Sequence, residues 1–364
     1  MKIFLCGDVM TGRGIDQILP HPVKPHLFEP YVSDAREYIS IAENVNGPIP
    51  QKADYSYIWG DALSILDYEH PDARLINLET SITHSEKYWP EKGINYRMSP
   101  DNLGCITSAG IDCCVLANNH ILDWGYDGLL DTINNLDCAT IKHAGAGRDR
   151  FESFRPAVIE TISGSRVIVF ALGKESSGIP DEWASDDNKP GVALYESDPD
   201  WYLKAIADYV KVNKREDDII LLSIHWGGNW GYEVHRDQIE LAHTAIDFCG
   251  VDCIHGHSSH HPKGIEIYNN KLIFYGCGDL INDYEGIRGY EEYKSNLSLM
   301  YIVEFAPNGN LRECKMFPMR IQRFSLKEAG EPECKWFESI YRSSAKIRGT
   351  DVVVNDSRSL RLGM

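Results

Sequence analysis

Between the apolar runs Asp252-Cys253-Ile254 and Ile265-Glu266-Ile267, the chain reads His255-Gly256-His257-Ser258-Ser259-His260-His261, four imidazoles in seven residues. Short, partly β-branched runs of this kind suit strands buried on both faces. The histidines therefore fall at a strand end rather than in an exposed tract. The same arrangement recurs along the chain. Lys2–Cys6 runs into Gly7-Asp8, and Arg74–Ile76 into Asn77-Leu78-Glu79. Asp112–Leu116 runs into Asn118-Asn119-His120, Arg166–Leu172 into Gly173, and Ile219–Ile224 into His225-Trp226-Gly227. Helical spacing occupies Gly128–Leu136, Trp201–Val212 and Ile239–Phe248, the last followed by Gly250 as a stop. Strands alternating with helices predict α/β layers. In open α/β sheets the carboxyl edge, where these polar residues gather, is the ligand-binding edge.

The 364 residues include 36 basic and 54 acidic side chains, a formal charge of −18, and 43% hydrophobic residues. A chain of this length buries a large core without staples. Its acidity disfavours nucleic acid and anionic membrane surfaces as partners, while leaving room for a small anion held by a local metal. The ten cysteines sit mostly inside apolar runs with no CxxC pair, as small buried hydrophobes in a reducing compartment do. No apolar run has the length of a secretory signal or a membrane span, so a cytoplasmic protein without membrane contact is expected. Residues 1–319 are expected to form the main domain, with a proline-rich irregular insertion near 20–60. Residues 175–200 read as an exposed acidic loop that borders the cleft, and residues 320–364 as a C-terminal appendage.

Divalent metals of hard or borderline character take carboxylate, amide oxygen and imidazole ligands from separate loops. Asp8, Glu79, Asn119, His120, His225, His257 and His260 are the candidates, with His261 as a further one. Asp8 and Asn118-Asn119-His120 equally suit turns, where Asp and Asn satisfy backbone groups. His255, before Gly256, and His261, before Pro262, suit packing roles as well. Trp226, Asn118 and Arg97 are candidate substrate contacts. His21, His26, His70, His84, His143, His235 and His243 read as surface or packing residues.

Taken in order, Cys6-Gly7-Asp8-Val9-Met10, Ile76-Asn77-Leu78-Glu79-Thr80, Leu116-Ala117-Asn118-Asn119-His120, Ser223-Ile224-His225-Trp226-Gly227-Gly228 and Gly256-His257-Ser258-Ser259-His260 resemble the CapA family. That family is named for poly-γ-glutamate capsule biosynthesis, and the resemblance covers roughly residues 1–305, including Phe274-Tyr275-Gly276-Cys277-Gly278-Asp279. The family is similar to the calcineurin-like metallophosphoesterases. The resemblance implies a four-layer αββα sandwich with one or two divalent metals, Zn, Mn or Fe, at the strand ends. It implies Asp8, Glu79, Asn119, His225, His257 and His260 as metal ligands, Asp8 and His120 as catalytic residues, and His120 as the acid that protonates a leaving group. Met10 stands where the phosphoesterase pattern has a histidine, and His257 and His260 are spaced by two residues instead of one. One metal position is therefore expected to be weak or empty.

The implied activity is metal-dependent hydrolysis of a γ-glutamyl or peptide-type amide, or a related polymer. A phosphoesterase acting on a small phosphorylated compound is the alternative, and a non-catalytic assembly subunit a third reading. No Walker-type phosphate loop is present, which argues against ATP-driven ligation by this chain alone. The sequence leaves the oligomeric state open.

Overall fold

The computed structural model describes residues 1–348, 350–356 and 358–363. Each apolar run becomes a strand whose alternate side chains enter two different cores. In the strand Lys2–Val9, Ile3 and Leu5 face one core and Phe4 and Cys6 the other. In Arg166–Gly173, Val167, Val169 and Ala171 join that first core while Ile168, Phe170 and Leu172 face a third. Burial on both faces explains why these strands lack polar alternation.

Among the described residues the larger sheet has ten strands. Its parallel half is formed by Lys2–Val9, Ala73–Leu78, Cys113–Val115 and Lys142–Ala144. Its antiparallel half contains Leu297–Phe305, Leu311–Gln322, Ser359–Gly363 and Asp351–Asp356. The second sheet, six-stranded among the described residues, runs Arg166–Gly173, Ile219–His225, Cys253–His257 and Lys271–Phe274 in parallel, with antiparallel edges Ala157–Glu160 and Ile265–Tyr268.

The two sheets share one apolar core between their inner faces. Helices Arg13–Ile18, Arg36–Asn46, Ala62–Glu69 and Gly125–Cys138 cover the outer face of the larger sheet. Pro199–Asn213 and Arg236–Cys249 cover the outer face of the smaller one. The result is the four-layer αββα sandwich. The three expected helices are present, and Gly250 ends the last of them in the left-handed conformation that favours glycine.

Two expectations need correction. Residues 320–364 are not an appendage, because the boundary falls inside the strand Leu311–Gln322 and Ser359–Gly363 pairs with that strand. Two more strands complete a sheet edge, and the helix Glu331–Arg348 packs Phe337 and Tyr341 into the inter-sheet core. Residues 175–200 are not a free loop either: Ile179, Trp183, Val192, Ala193 and Leu194 are buried. The segment near 20–60 is largely irregular around the helix Arg36–Asn46. Nine of the ten cysteines are buried and all are unbridged. Among the described residues, no helix is long and apolar enough to cross a membrane.

One irregularity positions the site. Leu5 stands opposite Leu75, but Asp8 stands opposite Asn77, so three residues of one strand match two of its neighbour. This β-bulge reverses the alternation and turns Asp8 to the inner face, which simple counting from Leu5 would deny it. Gly7 permits it, since a Cβ there would lie 1.6 Å from the Gly278 carbonyl oxygen. A methyl group must displace backbone at this point. Gly7→Ala is expected to lower the melting temperature by roughly 5 °C or more. Gly228→Ala, where a Cβ meets nothing within 4 Å, is expected to leave it unchanged in the same thermal denaturation experiment.

Candidate metal centre and its cavity

Strand parity brings the candidate side chains together. In Ile219–His225, Ile219 and Leu221 face the inter-sheet core, so Ser223 and His225 follow on the same face. In Cys253–His257, Cys253 faces inward and carries His255 and His257 with it. The parallel register sets His225 beside His257 and Ser223 beside His255. Across the sandwich, Asp8 stands beside Asn77 on one side and Asp279 on the other. Two carboxylates on adjacent strands thus oppose two imidazoles on adjacent strands.

A hydrogen-bond chain sets the imidazole tautomers. His255 Nε2 lies 2.7 Å from the Cys6 carbonyl oxygen and must donate to it. His255 Nδ1 then accepts from Ser223 Oγ at 3.1 Å, and Ser223 Oγ accepts from His257 Nε2 at 2.8 Å. The chain leaves His257 Nδ1 as an acceptor, which takes a hydrogen bond from His225 Nδ1 at 2.7 Å and has Asp8 Oδ1 3.7 Å away. His255 is therefore a support that ties the second sheet to the bulge. His225 Nε2 points the other way, 3.2 Å from Asn119 Oδ1 and 3.6 Å from Glu79 Oε1.

The carboxylates are held in place but not balanced. Asp8 Oδ1 accepts from Asn77 Nδ2 at 2.7 Å, while its buried Oδ2 has no partner. Burial, reinforced by the nearby Asp279 charge, pushes the Asp8 carboxyl up to about 8. Glu79 is driven well above the usual carboxylate range by burial and by Asp8 and Asp279. His225 and His257 are held well below their ordinary value, burial being the main cause, and so are neutral. Burial would lower His260 too, but Asp279, 3.0 Å from its Nδ1, reverses the direction.

Two ligand sets have all their donor atoms within 4.8 Å of one another: Asp8, His225 and His257, and Asp8, His260 and Asp279. An orphaned carboxylate oxygen, two imidazole Nδ1 atoms converging beside it and crowded carboxyl groups fit a divalent cation, which would relieve the carboxyl groups and take the place of the proton between the imidazoles. Oxygen and imidazole donors without thiolate suit Zn, Mn or Fe. Met10 contributes no ligand, because its sulfur accepts the Gly12 N–H at 3.2 Å. Between the histidines, Ser258 holds a left-handed φ of 104° while its Oγ donates to the Gly227 carbonyl. Backbone strain of this kind costs roughly 1–3 kcal/mol and gathers at functional sites.

A cavity of about 520 Å³ opens beside this cluster, lined by Glu79, Asn119, His120 and His260 as well as Arg13, Lys92, Tyr96 and Trp230. His120 is stacked on Tyr96 with ring centroids 4.0 Å apart. Its Nδ1 bonds Asp123 Oδ2 at 2.6 Å, which leaves Nε2 as the free ring nitrogen. Burial pushes the Asp123 carboxyl up to about 7, and the Lys92 ammonium, 3.5 Å away, opposes that rise.

The structure thus gathers Asp8, Glu79, Asn119, His120, His225, His257 and His260. Three expected substrate contacts lie elsewhere. Trp226 is buried in the helix-covered core, its Nε1 donating to the Tyr275 carbonyl at 3.0 Å; Trp230 lines the cavity instead. Asn118 is a brace, bonding Asn77 Oδ1, the Leu78 carbonyl and the His120 N–H. Arg97 is spent on the Ser85 and Lys24 carbonyls and on the Trp124 ring, 3.8 Å from its centroid. Asp279, Asp123 and Lys92 were not expected. Asp279 follows Gly276-Cys277-Gly278 as Asp8 follows Gly7, and Asp123 lies three residues after His120; those spacings were the available signals.

Cation uptake requires an ionised Asp8, whose proton is held to about pH 8. Apparent affinity for Mn2+ is expected to rise between about pH 6 and 8, with proton release seen by calorimetry in buffers of different ionisation enthalpy. Without metal, the folded chain holds this proton more tightly than the unfolded chain, whose Asp titrates near about 3.9. The stabilising contribution of protonated Asp8 is complete below that value and is lost as pH rises toward about 8. Denaturant titrations are expected to show the metal-free protein weakening over this window and Mn2+ restoring it.

The family model for the bacterial capsule synthesis protein PGA_cap matches residues 2–284. A probable polyglutamine synthesis accessory protein of Mycobacterium tuberculosis is 44% identical, over 100% of this chain and 96% of its own length. The capsule biosynthesis protein CapA of Bacillus anthracis is 25% identical, over 90% of this chain and 69% of its own. Among solved structures, a 5′-nucleotidase precursor from Thermus thermophilus is similar at a TM-score of 0.47 and 13% identity, over 95% of this chain and 58% of that one. The chain belongs to the bacterial capsule synthesis PGA_cap family.

Proposed function

We propose that the protein is a metal-dependent hydrolase acting on a γ-glutamyl or peptide-type amide in the biosynthesis or processing of a glutamate polymer. The observation that carries this reading is the buried set of carboxylates facing neutral imidazoles at a cavity whose wall presents His120. The names of the relatives support the biological setting, since they concern polyglutamine synthesis and capsule biosynthesis.

Asp8, His225 and His257 would hold one cation, and Asp8, His260 and Asp279 a second, with Glu79 and Asn119 adjoining. A divalent cation bound there supplies Lewis acidity for the scissile carbonyl and lowers the pKa of water toward neutrality. The chain supplies the rest. Burial holds the His120 ring neutral and raises the Asp123 carboxyl to about 7, so an Asp123 O–H donating to Nδ1 leaves the ring proton on Nε2, which could pass to the leaving amine as Nδ1 takes the Asp123 proton. Tyr96 stacks on the ring and keeps it in that orientation. Ser223 and His255 hold the His257 lone pair toward Asp8. The same parts would serve a phosphoester, so the assay must offer both bonds.

Elemental analysis of the purified protein after incubation with Zn2+, Mn2+ or Fe2+ is expected to give one or two equivalents. Asp8→Ala and His257→Ala are expected to lose metal. His243→Ala should retain it, since that ring stacks on Tyr268 and bonds Glu266 outside the cluster. Hydrolysis of a γ-glutamyl amide is expected to disappear in His225→Ala and to fall about 10²–10⁴-fold in His120→Ala. Equal metal in all variants contradicts the ligand assignment. Hydrolysis confined to an aryl phosphate moves the substrate class to phosphoesters.

A further inference from the structure

Lys92 stands on the cavity wall outside the ligand cluster. It occupies a tight turn between Glu91 and Gly93, whose φ angles are 62° and 83°. Its side chain is only 12% exposed, and its Nζ lies 3.5 Å from Asp123 Oδ1, which leaves N–H groups to spare. Lys92 lines the same cavity as Glu79 and His120. Arg13, the other cation lining the cavity, is committed: its Nε and Nη2 hold Asp283, and its Nη1 holds Glu29 and Tyr38. The remaining wall includes Ile94, Trp230, Tyr284, Ile287 and Tyr290, a largely apolar and aromatic surface.

We propose that Lys92 seats a single anionic group, carboxylate or phosphate, at the end of a small substrate that lies along the aromatic wall, and that the cavity excludes the interior of a polyanion. This rests on the hydrolase reading and narrows its substrate to an end unit. One available ammonium matches one anion. A second substrate carboxylate on the wall away from the cation positions would be desolvated against Glu29 without a partner, which is unfavourable. The chain's net charge of −18 repels a long polyanion further. A volume of about 520 Å³ suits a ligand of dipeptide size.

The test titrates Mn2+-treated full-length protein, its metal content measured in each sample, with γ-glutamylmethylamide, which carries one carboxylate, inorganic phosphate and long poly-γ-glutamate. At least one small anion is expected to bind. Lys92→Gln should weaken it about tenfold and Lys92→Arg should restore most of the loss. Ile94→Glu, at a wall position 41% exposed and outside the Asp123 pair, should weaken it too. Binding of phosphate alone assigns a phosphorylated end group; binding of the γ-glutamylmethylamide alone assigns a carboxylate. Polymer affinity should scale with chain ends. Absence of small-anion binding, affinity unchanged in both Lys92→Gln and Ile94→Glu, or polymer affinity that grows with internal units overturns the proposal. Lys92-dependent binding in a protein that takes up no metal keeps the anion seat and removes the hydrolase reading.

Discussion

Three carboxylates, Asp8, Asp279 and Glu79, are buried between two sheets, and among the described residues no Lys or Arg side chain is paired with any of them. Burial and mutual repulsion raise Asp8 and Glu79, while burial keeps the facing His225 and His257 neutral. Burying carboxyl groups without a compensating charge is a costly arrangement, relieved here by retained protons. Here it is built by regular means. Parallel register places Asp8 beside Asp279 and His225 beside His257, and the shared core brings those pairs face to face. The fold contributes rigidity, and the cluster contributes an affinity for positive charge.

The rigid parts are themselves coupled. Gly7 allows the bulge, the bulge turns Asp8 inward, and His255 bonds the Cys6 carbonyl within that bulge from the opposite sheet. Ser223 then passes the orientation on to His257. A change at Gly7 or Ser223 therefore reaches the ligand atoms without touching them. This is how supporting groups fix ligand tautomers in metal sites.

Much of this was legible in the sequence because buried parallel strands are short apolar runs, and their carboxyl ends are where polar residues accumulate. The strand ends at Asp8, Glu79, Asn119, His225 and His257 follow from that rule. What could not be read depends on register and three-dimensional packing. Counting alternation from Leu5 turns Asp8 outward, and only pairing with Ala73–Leu78 reveals the bulge. Trp226 and Trp230 lie four residues apart in one glycine-rich stretch, yet one packs under a helix layer and the other faces the cavity. Arg97 looked available because its partners are backbone carbonyls, which leave no trace in composition. The C-terminal residues carried few apolar anchors, but those anchors reach the inter-sheet core.

The most direct measurement is anomalous diffraction from crystals of the protein soaked in Mn2+ or Zn2+. The expected result is a peak within coordination distance of Asp8, shared with His225 and His257 or with His260 and Asp279, with occupancy that rises as pH approaches about 8. No peak between these residues in well-ordered crystals at that pH would contradict the metal centre. A peak bound to other residues instead would do the same.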